Sequence, residues 1–251
     1  MITSKISEIF VSIQGEGLYA GQKQVFIRFA GCNLSCAYCD EPAASAKRSL
    51  PGPFSGHRLQ AANHRQESVY AEMTVSSVAA EVIRLARKGR VRAVSLTGGE
   101  PLLQWRFIKV LAPALKEAGL TLHLETNGVL YDGLCRVRDL LDVIAMDIKL
   151  PSSTSGKAFW AGHARFAAAA PEKTFIKAVV TSRTTAADLK KAVVVAAKAR
   201  GSIPFFIQPA SPANGVKPPS RAKLDSFYRL AALKLEDVRI LPQMHKLWGI
   251  K

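Results

Sequence analysis

The segment from Gly31 to Asp40 reads Gly-Cys-Asn-Leu-Ser-Cys-Ala-Tyr-Cys-Asp, and three of the chain's four cysteines lie in it, at Cys32, Cys36 and Cys39. Thiolates are soft ligands that suit zinc or iron–sulfur clusters. A structural zinc site normally needs a fourth ligand, and no further thiol or histidine is near in sequence. A 4Fe–4S cluster normally takes four thiolates, so three would leave one iron open. The spacing favours a catalytic cluster, with zinc or unrelated buried thiols as alternatives.

Short apolar segments on both sides of the cysteine loop predict a series of strands and helices. The predicted strands are Gln24–Phe29, Val91–Leu96, Thr121–Leu124, Val143–Asp147, Thr174–Val180, Pro204–Gln208 and Val238–Leu241. The predicted helices are Val75–Lys88, Phe107–Glu117, Leu134–Leu141, Ala158–Ala169, Ala186–Arg200 and Ser220–Lys234. This alternation indicates an α/β fold with a mostly parallel sheet and crossover helices.

Polar motifs recur where the predicted strands end. They are the cysteine loop, Thr97–Pro101, Glu125–Gly128, Asp147–Lys149, Gln208-Pro209 and Gln243–Lys246. In a parallel barrel the carboxyl ends of the strands share one face, which carries the active site. A turn would explain any one of these motifs, but not all of them together.

Length and charge set the remaining limits. The chain has 251 residues and a net charge of +16, and we interpret residues 1–251 as a single domain with a basic loop insertion at about 41–74. The charge keeps a nucleic-acid-binding interpretation open. No apolar run is long enough to span a bilayer, and the first residues do not resemble a signal peptide, so a cytoplasmic protein is expected.

Together with Gly98-Gly99-Glu100-Pro101, the cysteine loop resembles the radical S-adenosylmethionine (SAM) superfamily. The resemblance implies that Cys32, Cys36 and Cys39 bind a 4Fe–4S cluster whose open iron is chelated by SAM. It also implies that the second motif binds the SAM amino group. The chemistry agrees, because glycines allow close backbone approach and a carboxylate such as Glu100 can pair with an ammonium group.

A more specific resemblance comes from Gln14-Gly15-Glu16-Gly17 and from Phe26 to Leu34, which are similar to the 7-carboxy-7-deazaguanine synthase family. That family implies a shortened, partial (β/α) TIM-like barrel of radical SAM type, often homodimeric. It implies conversion of 6-carboxy-5,6,7,8-tetrahydropterin to 7-carboxy-7-deazaguanine with loss of ammonia, in queuosine and 7-deazapurine biosynthesis. The radical is implied to be carried by SAM, with no catalytic side chain beyond the cofactors and with a reductant such as flavodoxin or ferredoxin.

The resemblance also implies which residues bind. The SAM-binding positions are Tyr38, Cys39, Asp40, Gly99, Glu100, Glu125, Asn127, Asp147, Ile148, Lys149, Gln208, Pro209, Ala210 and Ser211. The substrate-binding positions are Ile13, Gln14, Gly15, Glu16, Arg28, Thr97 and Lys251. Lys177 and His245 are weaker candidates. Two structural alternatives stay open: Arg28 could pair with an acid such as Glu16, and Asp147 with Lys149 could form a surface ion pair.

One position departs from the family. Members often carry Thr after the Cys-Asp pair, where its hydroxyl binds Mg²⁺, whereas this chain has Glu41. A carboxylate is also a hard oxygen ligand, so we expect Mg²⁺ to be retained with Glu41 as a ligand. The alternative is that Glu41 faces solvent.

Two other functions stay open at this point. Another radical SAM enzyme, such as a glycyl-radical activating enzyme, would share the cysteine loop. A basic zinc-binding nucleic-acid protein would account for the charge. However, the chain has no paired-cysteine finger, and its positive residues are scattered, so neither a nucleic-acid partner nor a membrane is favoured.

Overall fold

The computed structural model describes residues 2–39, 48–49, 69–154, 156–212 and 215–250. Its strands are β1 (Thr3–Ile13), β2 (Lys23–Phe29), β3 (Arg48–Ser49), β4 (Val69–Thr74), β5 (Ala93–Gly98), β6 (Thr121–Thr126), β7 (Val143–Asp147), β8 (Thr174–Val180), β9 (Phe205–Pro209) and β10 (Val238–Ile240). Its α-helices are α1 (Val75–Gly89), α2 (Trp105–Glu117), α3 (Tyr131–Val137), α4 (Trp160–Ala167), α5 (Ala186–Ala199), α6 (Arg221–Ala232) and α7 (Met244–Leu247).

The strands form one sheet in the order β10-β9-β8-β7-β6-β5-β2-β1-β4-β3. From β2 to β10 each neighbouring pair is parallel, whereas β1 pairs antiparallel with both β2 and β4. The architecture is the expected partial (β/α) barrel, because the edge strands β3 and β10 do not pair to close it among the described residues. Among the described helices, none is both long enough and apolar enough to cross a membrane.

The predicted helices and parallel strands are confirmed to within a few residues. Helix α1 shows why: the Thr74 side chain accepts a hydrogen bond from the Ser77 N–H at 3.2 Å, which caps the first turn. Apolar residues spaced three or four apart form one face of the helix, where Val78 and Val82 are fully buried. The helix ends at Gly89, and Arg90 after it adopts the left-handed conformation at φ 52°.

The amino-terminal strands are the main difference from the sequence prediction. A register shift between Ile6 and Glu8 disrupts the alternation of β1, so a period of two does not reveal the strand. The irregular segment expected at 41–74 is also shorter, because β4 begins at Val69 and pairs with β1. Residues 40–47 and 50–68 lie outside the described part of the chain, so the shape of that insertion stays a prediction.

The two faces of the sheet bury different side chains. The outer face packs against the helices in the main core, which includes Ile27, Leu124 and Ile176. The inner face begins with a smaller apolar cluster of Val143, Ala145, Phe175 and Phe206, against which Tyr19 and Leu241 pack. Polar residues follow this layer at the carboxyl ends of the same strands. They are Asp147, Lys177 and Gln208, each two residues after a member of the cluster.

The segment after β1 crosses to the far end of the sheet. The Met244 N–H, after β10, donates a hydrogen bond to the Gly15 carbonyl at 2.9 Å. Gly17 reaches β8, since a Cβ on Gly17 would lie 2.1 Å from a ring carbon of Phe175. The Gln14–Gly17 segment, termed the QGEG loop below, therefore lies over the inner face and connects β1 with β8 and with the segment after β10.

Candidate active site

The three loop cysteines lie just beyond β2, at the carboxyl-end face of the sheet. The Leu34 N–H approaches the Cys32 Sγ at 3.5 Å, and the Cys39 N–H donates to the Cys36 carbonyl at 3.0 Å. The loop is fixed to the 3-10 turn Pro151–Ser153, which follows β7, through the Ala37 N–H, which donates to the Ser153 carbonyl at 3.1 Å. All three thiols are partly buried.

Three partly buried thiols in one loop are compatible with a 4Fe–4S cluster. Within the described ranges, no three His, Cys, Asp or Glu side chains converge closely enough to hold one metal ion. A 4Fe–4S cluster needs no such convergence, because each cysteine binds a different iron. Burial raises the pKa of the Cys36 thiol, and the positive charge of Lys149 opposes this rise. Cluster binding would therefore supply the free energy that removes the thiol protons.

The Gly98-Gly99 turn brings β5 against the cysteine loop. The Gly99 N–H donates to the Phe29 carbonyl at 2.9 Å, and the Glu100 N–H donates to the Gly31 carbonyl at 2.8 Å. A Cβ on Gly99 would lie 1.9 Å from the Gly31 oxygen, a distance that no real contact allows. The glycine is therefore required for the two loops to meet, immediately before Cys32.

We expect Gly99→Ala to displace the cysteine loop and to cost about 3 kcal/mol or more of stability, because the clashing atoms belong to backbone that cannot rotate away. Cluster content after anaerobic reconstitution should fall as well. Gly162→Ala is the matched control: nothing lies within 4 Å of the added Cβ, and in a helix the alanine should stabilise by up to about 1 kcal/mol. Equal melting temperatures and equal iron content in the two variants would contradict the assigned role of Gly99.

Glu100 ties the loops after β5 and β6 together. Its side chain is 0% exposed and accepts hydrogen bonds from the Leu102 N–H at 3.0 Å, the Thr126 hydroxyl at 2.9 Å and the Asn127 N–H at 2.8 Å. Burial raises the pKa of Glu100 to about 7 although these bonds favour the charged form. A carboxylate offers about four acceptor positions, so the three protein donors leave room for one more.

Asn127 extends this connection to the cysteine loop. Its Nδ2 donates to the Asn33 Oδ1 at 2.7 Å and lies 3.9 Å from the Cys32 Sγ. Its backbone carbonyl lies 3.1 Å from the Nε2 of His163, a fully buried side chain of α4. Burial lowers the pKa of His163 to about 4, so the ring is neutral and can donate from Nε2. The turn after β6 is therefore held from both sides.

Asp147, Lys149 and Tyr38 form a partly buried group beside the cysteine loop. The Lys149 Nζ lies 2.7 Å from the Asp147 Oδ2 and 3.3 Å from the Tyr38 hydroxyl, and it sits 5.2 Å from the centre of the tyrosine ring. The Lys149 and Asp147 side chains are only 13% and 14% exposed, so this is not the surface ion pair that remained an alternative.

The same edge of the sheet offers unused acceptors. Among the described residues, the Asp147 Oδ1 and the Gln208 Oε1 are buried and have no hydrogen-bond partner. Such acceptors suit the amino and hydroxyl groups of a ligand like SAM. Ile148, Pro209, Ala210 and Ser211 lie on the strand ends that carry these two residues. These free acceptors therefore fit SAM, the cofactor that the sequence resemblance implies.

Gln14 and Thr97 meet at one carboxylate. Glu125 accepts hydrogen bonds from the Gln14 Nε2 at 2.8 Å, the Ser95 hydroxyl at 2.7 Å and the Thr97 hydroxyl at 3.0 Å. Glu125 is expected among the SAM-binding residues, whereas its side chain contacts two expected substrate residues. The Gln14 Oε1 also accepts from the Glu16 N–H at 3.1 Å, which orders the QGEG loop.

Arg28 and Glu16 have different partners. The Arg28 Nε lies 3.6 Å from the Glu8 Oε2, and the guanidinium lies 5.3 Å from the centre of the Phe10 ring. Glu16 instead pairs with the buried Lys177. The alternative in which Arg28 pairs with a nearby acid therefore holds, but the acid is Glu8 and not Glu16. Arg28 lies beside Thr97 in the β2–β5 register.

Gln243 belongs to a polar motif that the sequence places after the last strand, but the sequence assigns it no role. Its Nε2 donates to the Glu16 Oε1 at 2.9 Å, and its Oε1 accepts from the Ser211 hydroxyl at 2.6 Å. His245 lies against the QGEG loop, since a Cβ on Gly15 would fall 2.1 Å from its Nδ1. Asp40, Glu41 and Lys251 lie outside the described residues, so their roles stay predictions.

The comparisons with known proteins identify the class first. Residues 26–173 match the Radical SAM superfamily, so the cysteine loop and the partial barrel are those of a radical SAM protein. The fold agrees with the crystal structure of QueE from Escherichia coli, at a TM-score of 0.64 and 19% identity over 98% of this chain and 96% of that one. It also resembles a radical SAM methyltransferase from Sphaerobacter thermophilus, at a TM-score of 0.60 and 12% identity over 94% of this chain and 77% of that one.

Full-length relatives then identify the family. The 7-carboxy-7-deazaguanine synthase of Geobacter sulfurreducens is 38% identical over 98% of this chain and 97% of its own length. The protein of the same name from Methanopyrus kandleri is 35% identical over 96% of this chain and 92% of its own. The chain belongs to the 7-carboxy-7-deazaguanine synthase family. Membership in this family favours a radical SAM enzyme over the alternative of a zinc-binding nucleic-acid protein.

Proposed function

We propose that this protein converts 6-carboxy-5,6,7,8-tetrahydropterin to 7-carboxy-7-deazaguanine with release of ammonia, a step toward queuosine and related 7-deazapurines. The observation that carries the proposal is the junction between two sets of side chains. Glu125, which holds Gln14 and Thr97, precedes Asn127 by two residues, and Asn127 contacts Asn33 in the cysteine loop. A substrate held by the first set would lie next to cofactors held by the second.

The radical SAM family implies a 4Fe–4S cluster and SAM, which together supply one-electron chemistry that side chains cannot. Cys32, Cys36 and Cys39 would hold the cluster. The Gly98-Gly99 turn and the free acceptors of Asp147 and Gln208 would bind SAM. Lys149 stays charged beside Asp147 although burial alone would lower its pKa, so the pair can hold Tyr38 and the cysteine loop in place.

The substrate side rests on polarity and shape. Gln14 offers both a donor and an acceptor to the edge of a pterin ring. Arg28 offers a planar fork that matches a carboxylate, the group that distinguishes this substrate from other pterins. The apolar cluster on β7, β8 and β9 lowers the local dielectric on that part of the inner face and would strengthen polar contacts made beside it.

We also propose that the enzyme requires Mg²⁺, with Glu41 as a ligand, because the Glu41 carboxylate stands where related proteins often have a threonine hydroxyl that binds Mg²⁺. We expect EDTA to lower the activity of the wild type by at least about tenfold and added Mg²⁺ to restore it. Glu41→Ala should then need more Mg²⁺ for the same rate. An EDTA and Mg²⁺ response unchanged by the substitution would remove Glu41 from the metal site.

The proposal extends to assembly and location. The protein is proposed to act as a cytoplasmic homodimer that accepts electrons from a carrier such as flavodoxin or ferredoxin. The exposed Leu247 and Trp248, at the carboxyl end of the chain, support an association surface because large apolar side chains gain from burial. Sedimentation of the wild type and of a Leu247→Glu/Trp248→Glu variant tests the dimer, which should dissociate in the variant.

Product analysis tests the function itself. The reconstituted protein, supplied with SAM, a reductant and the carboxylated pterin, should form 7-carboxy-7-deazaguanine and ammonia in equal amounts. A glycyl-radical activating enzyme would instead consume SAM without converting the pterin. The same incubation therefore separates the two kinds of radical SAM enzyme.

A further inference from the structure

A buried ion pair lies where the QGEG loop crosses β8. Lys177 is the charged residue in the otherwise apolar and neutral strand Thr174–Val180, and its Nζ contacts the Glu16 Oε2. The Lys177 and Glu16 side chains are 6% and 14% exposed. A cation in such a position is costly unless it is fully compensated, so its presence calls for a specific role.

The surroundings hold both groups in their charged forms. Burial alone would raise the pKa of Glu16, but the charge and hydrogen bond of Lys177, with the bond from Gln243, lower it to about 2. The Lys177 pKa is raised although burial opposes this, because Glu16, Glu125 and Asp147 all attract its charge. The ion pair therefore persists throughout the neutral range.

The pair fixes one side of the QGEG loop, and the carboxyl-terminal segment fixes the other. Gly17 rests on Phe175, two residues before Lys177 on the same face of β8. On the opposite side, the Gln243 Nε2 donates to the Glu16 Oε1, and the Met244 N–H donates to the Gly15 carbonyl. Glu16 thus uses its two oxygens for two different elements, β8 and the segment that begins α7.

We propose that Lys177 is a positioning residue for the substrate site: it anchors Glu16 and thereby holds the QGEG loop and the 243–250 segment together over the inner face. Gln14 lies two residues before Glu16 and makes its contact with Glu125 from this loop. The loop must stay in place for Gln14 to meet the pterin. This inference rests on the proposed function for its substrate, but the anchoring itself does not depend on it.

Kinetics of the reconstituted enzyme provide the first test. In Lys177→Met the QGEG loop loses its anchor, and misplacement of binding groups by about 1 Å can cost a hundredfold, so kcat/KM for the pterin should fall by about that factor, mainly through KM. SAM affinity should change much less, because Asp147, the expected SAM residue that faces Lys177, keeps its own partner Lys149. Lys116→Met is the matched control: it removes a lysine paired with Asp142 at 2.7 Å, but one that is 38% exposed, and it should leave both constants unchanged.

Hydrogen exchange tests the anchoring without any turnover. The amide of Met244 should exchange at least about tenfold faster in Lys177→Met, because its acceptor Gly15 is released. In Gln243→Leu, which keeps the ion pair, the same amide should exchange faster while KM rises less. Unchanged exchange in Lys177→Met would overturn the proposal, whatever the result in Gln243→Leu and even if the enzyme acts on another substrate. Conversely, a wild type that makes no product while these exchange rates change would overturn only the proposed function.

A double variant separates anchoring from stability. Lys177→Met leaves the Glu16 carboxylate buried without its partner, so adding Glu16→Gln should raise the melting temperature again. The raised KM should nevertheless remain, because neither neutral side chain restores the anchor. A double variant with a wild-type KM would show that the ion pair has no positioning role.

Discussion

Cys36→Ser is expected to abolish both cluster assembly and product formation. A serine hydroxyl is a hard, weakly acidic ligand that does not replace a thiolate on iron. Loss of a partner that only supports a metal ligand commonly costs about 10–100-fold, so loss of the ligand itself should exceed that. Iron and sulfide content, with the visible absorbance of the reconstituted protein, measures assembly, and product yield measures activity.

Cys135→Ser is the control for this change. Cys135 lies in α3 (Tyr131–Val137), outside the cysteine loop. Its substitution by serine is the same chemical change, made at another partly buried thiol. It should retain the full iron content and the full rate. Equal iron content in Cys36→Ser and Cys135→Ser would contradict the assignment of the loop cysteines as cluster ligands.

Arg28→Met carries the second largest expected effect. Truncating one partner of a desolvated charge pair typically costs about 2–5 kcal/mol, equivalent to roughly 30- to 5000-fold in affinity. We therefore expect KM for the carboxylated pterin to rise by a factor in that range while SAM affinity stays the same. The KM of Arg28→Lys should lie between those of the wild type and Arg28→Met, because lysine keeps the charge but lacks the planar fork.

The matched control for Arg28 lies on a helix surface. Arg84 makes a bidentate contact with Glu81 in α1, with both distances 2.7 Å, but its side chain is 52% exposed. Arg84→Met should leave KM and kcat unchanged, because exposed pairs of this kind contribute little. An Arg28→Met enzyme with a normal KM would mean that another group binds the substrate carboxylate.

Local patterns predict the parallel part of the fold well. Short apolar strands such as Val143–Asp147 and Thr174–Val180 are found where the sequence places them, because their side chains are buried on both faces. Strand β1 escapes prediction because of its bulge, and β4 because it follows a segment rich in proline and glycine. Both depend on antiparallel pairing, which is a non-local interaction that no local pattern reveals.

The site follows the same division. The cysteines and the Gly98–Pro101 turn are evident from their spacing, since each motif is contiguous in sequence. The placement of Glu125 with Gln14, and of Gln243 with Glu16, joins residues 111 and 227 positions apart. Only the crossing of the QGEG loop over the sheet brings them together. The buried lysines add nothing to the net charge of +16, because Lys149 and Lys177 are each paired with an acid.

The formation of 7-carboxy-7-deazaguanine is the most direct test of the proposed function. The anaerobically reconstituted enzyme, with its cluster content verified, is incubated with SAM, reductant and 6-carboxy-5,6,7,8-tetrahydropterin, and the product is identified by its mass. We predict multiple turnovers with one ammonia released for each product molecule, and none in Cys36→Ser. A fully loaded enzyme that leaves the pterin unchanged would contradict the proposed function.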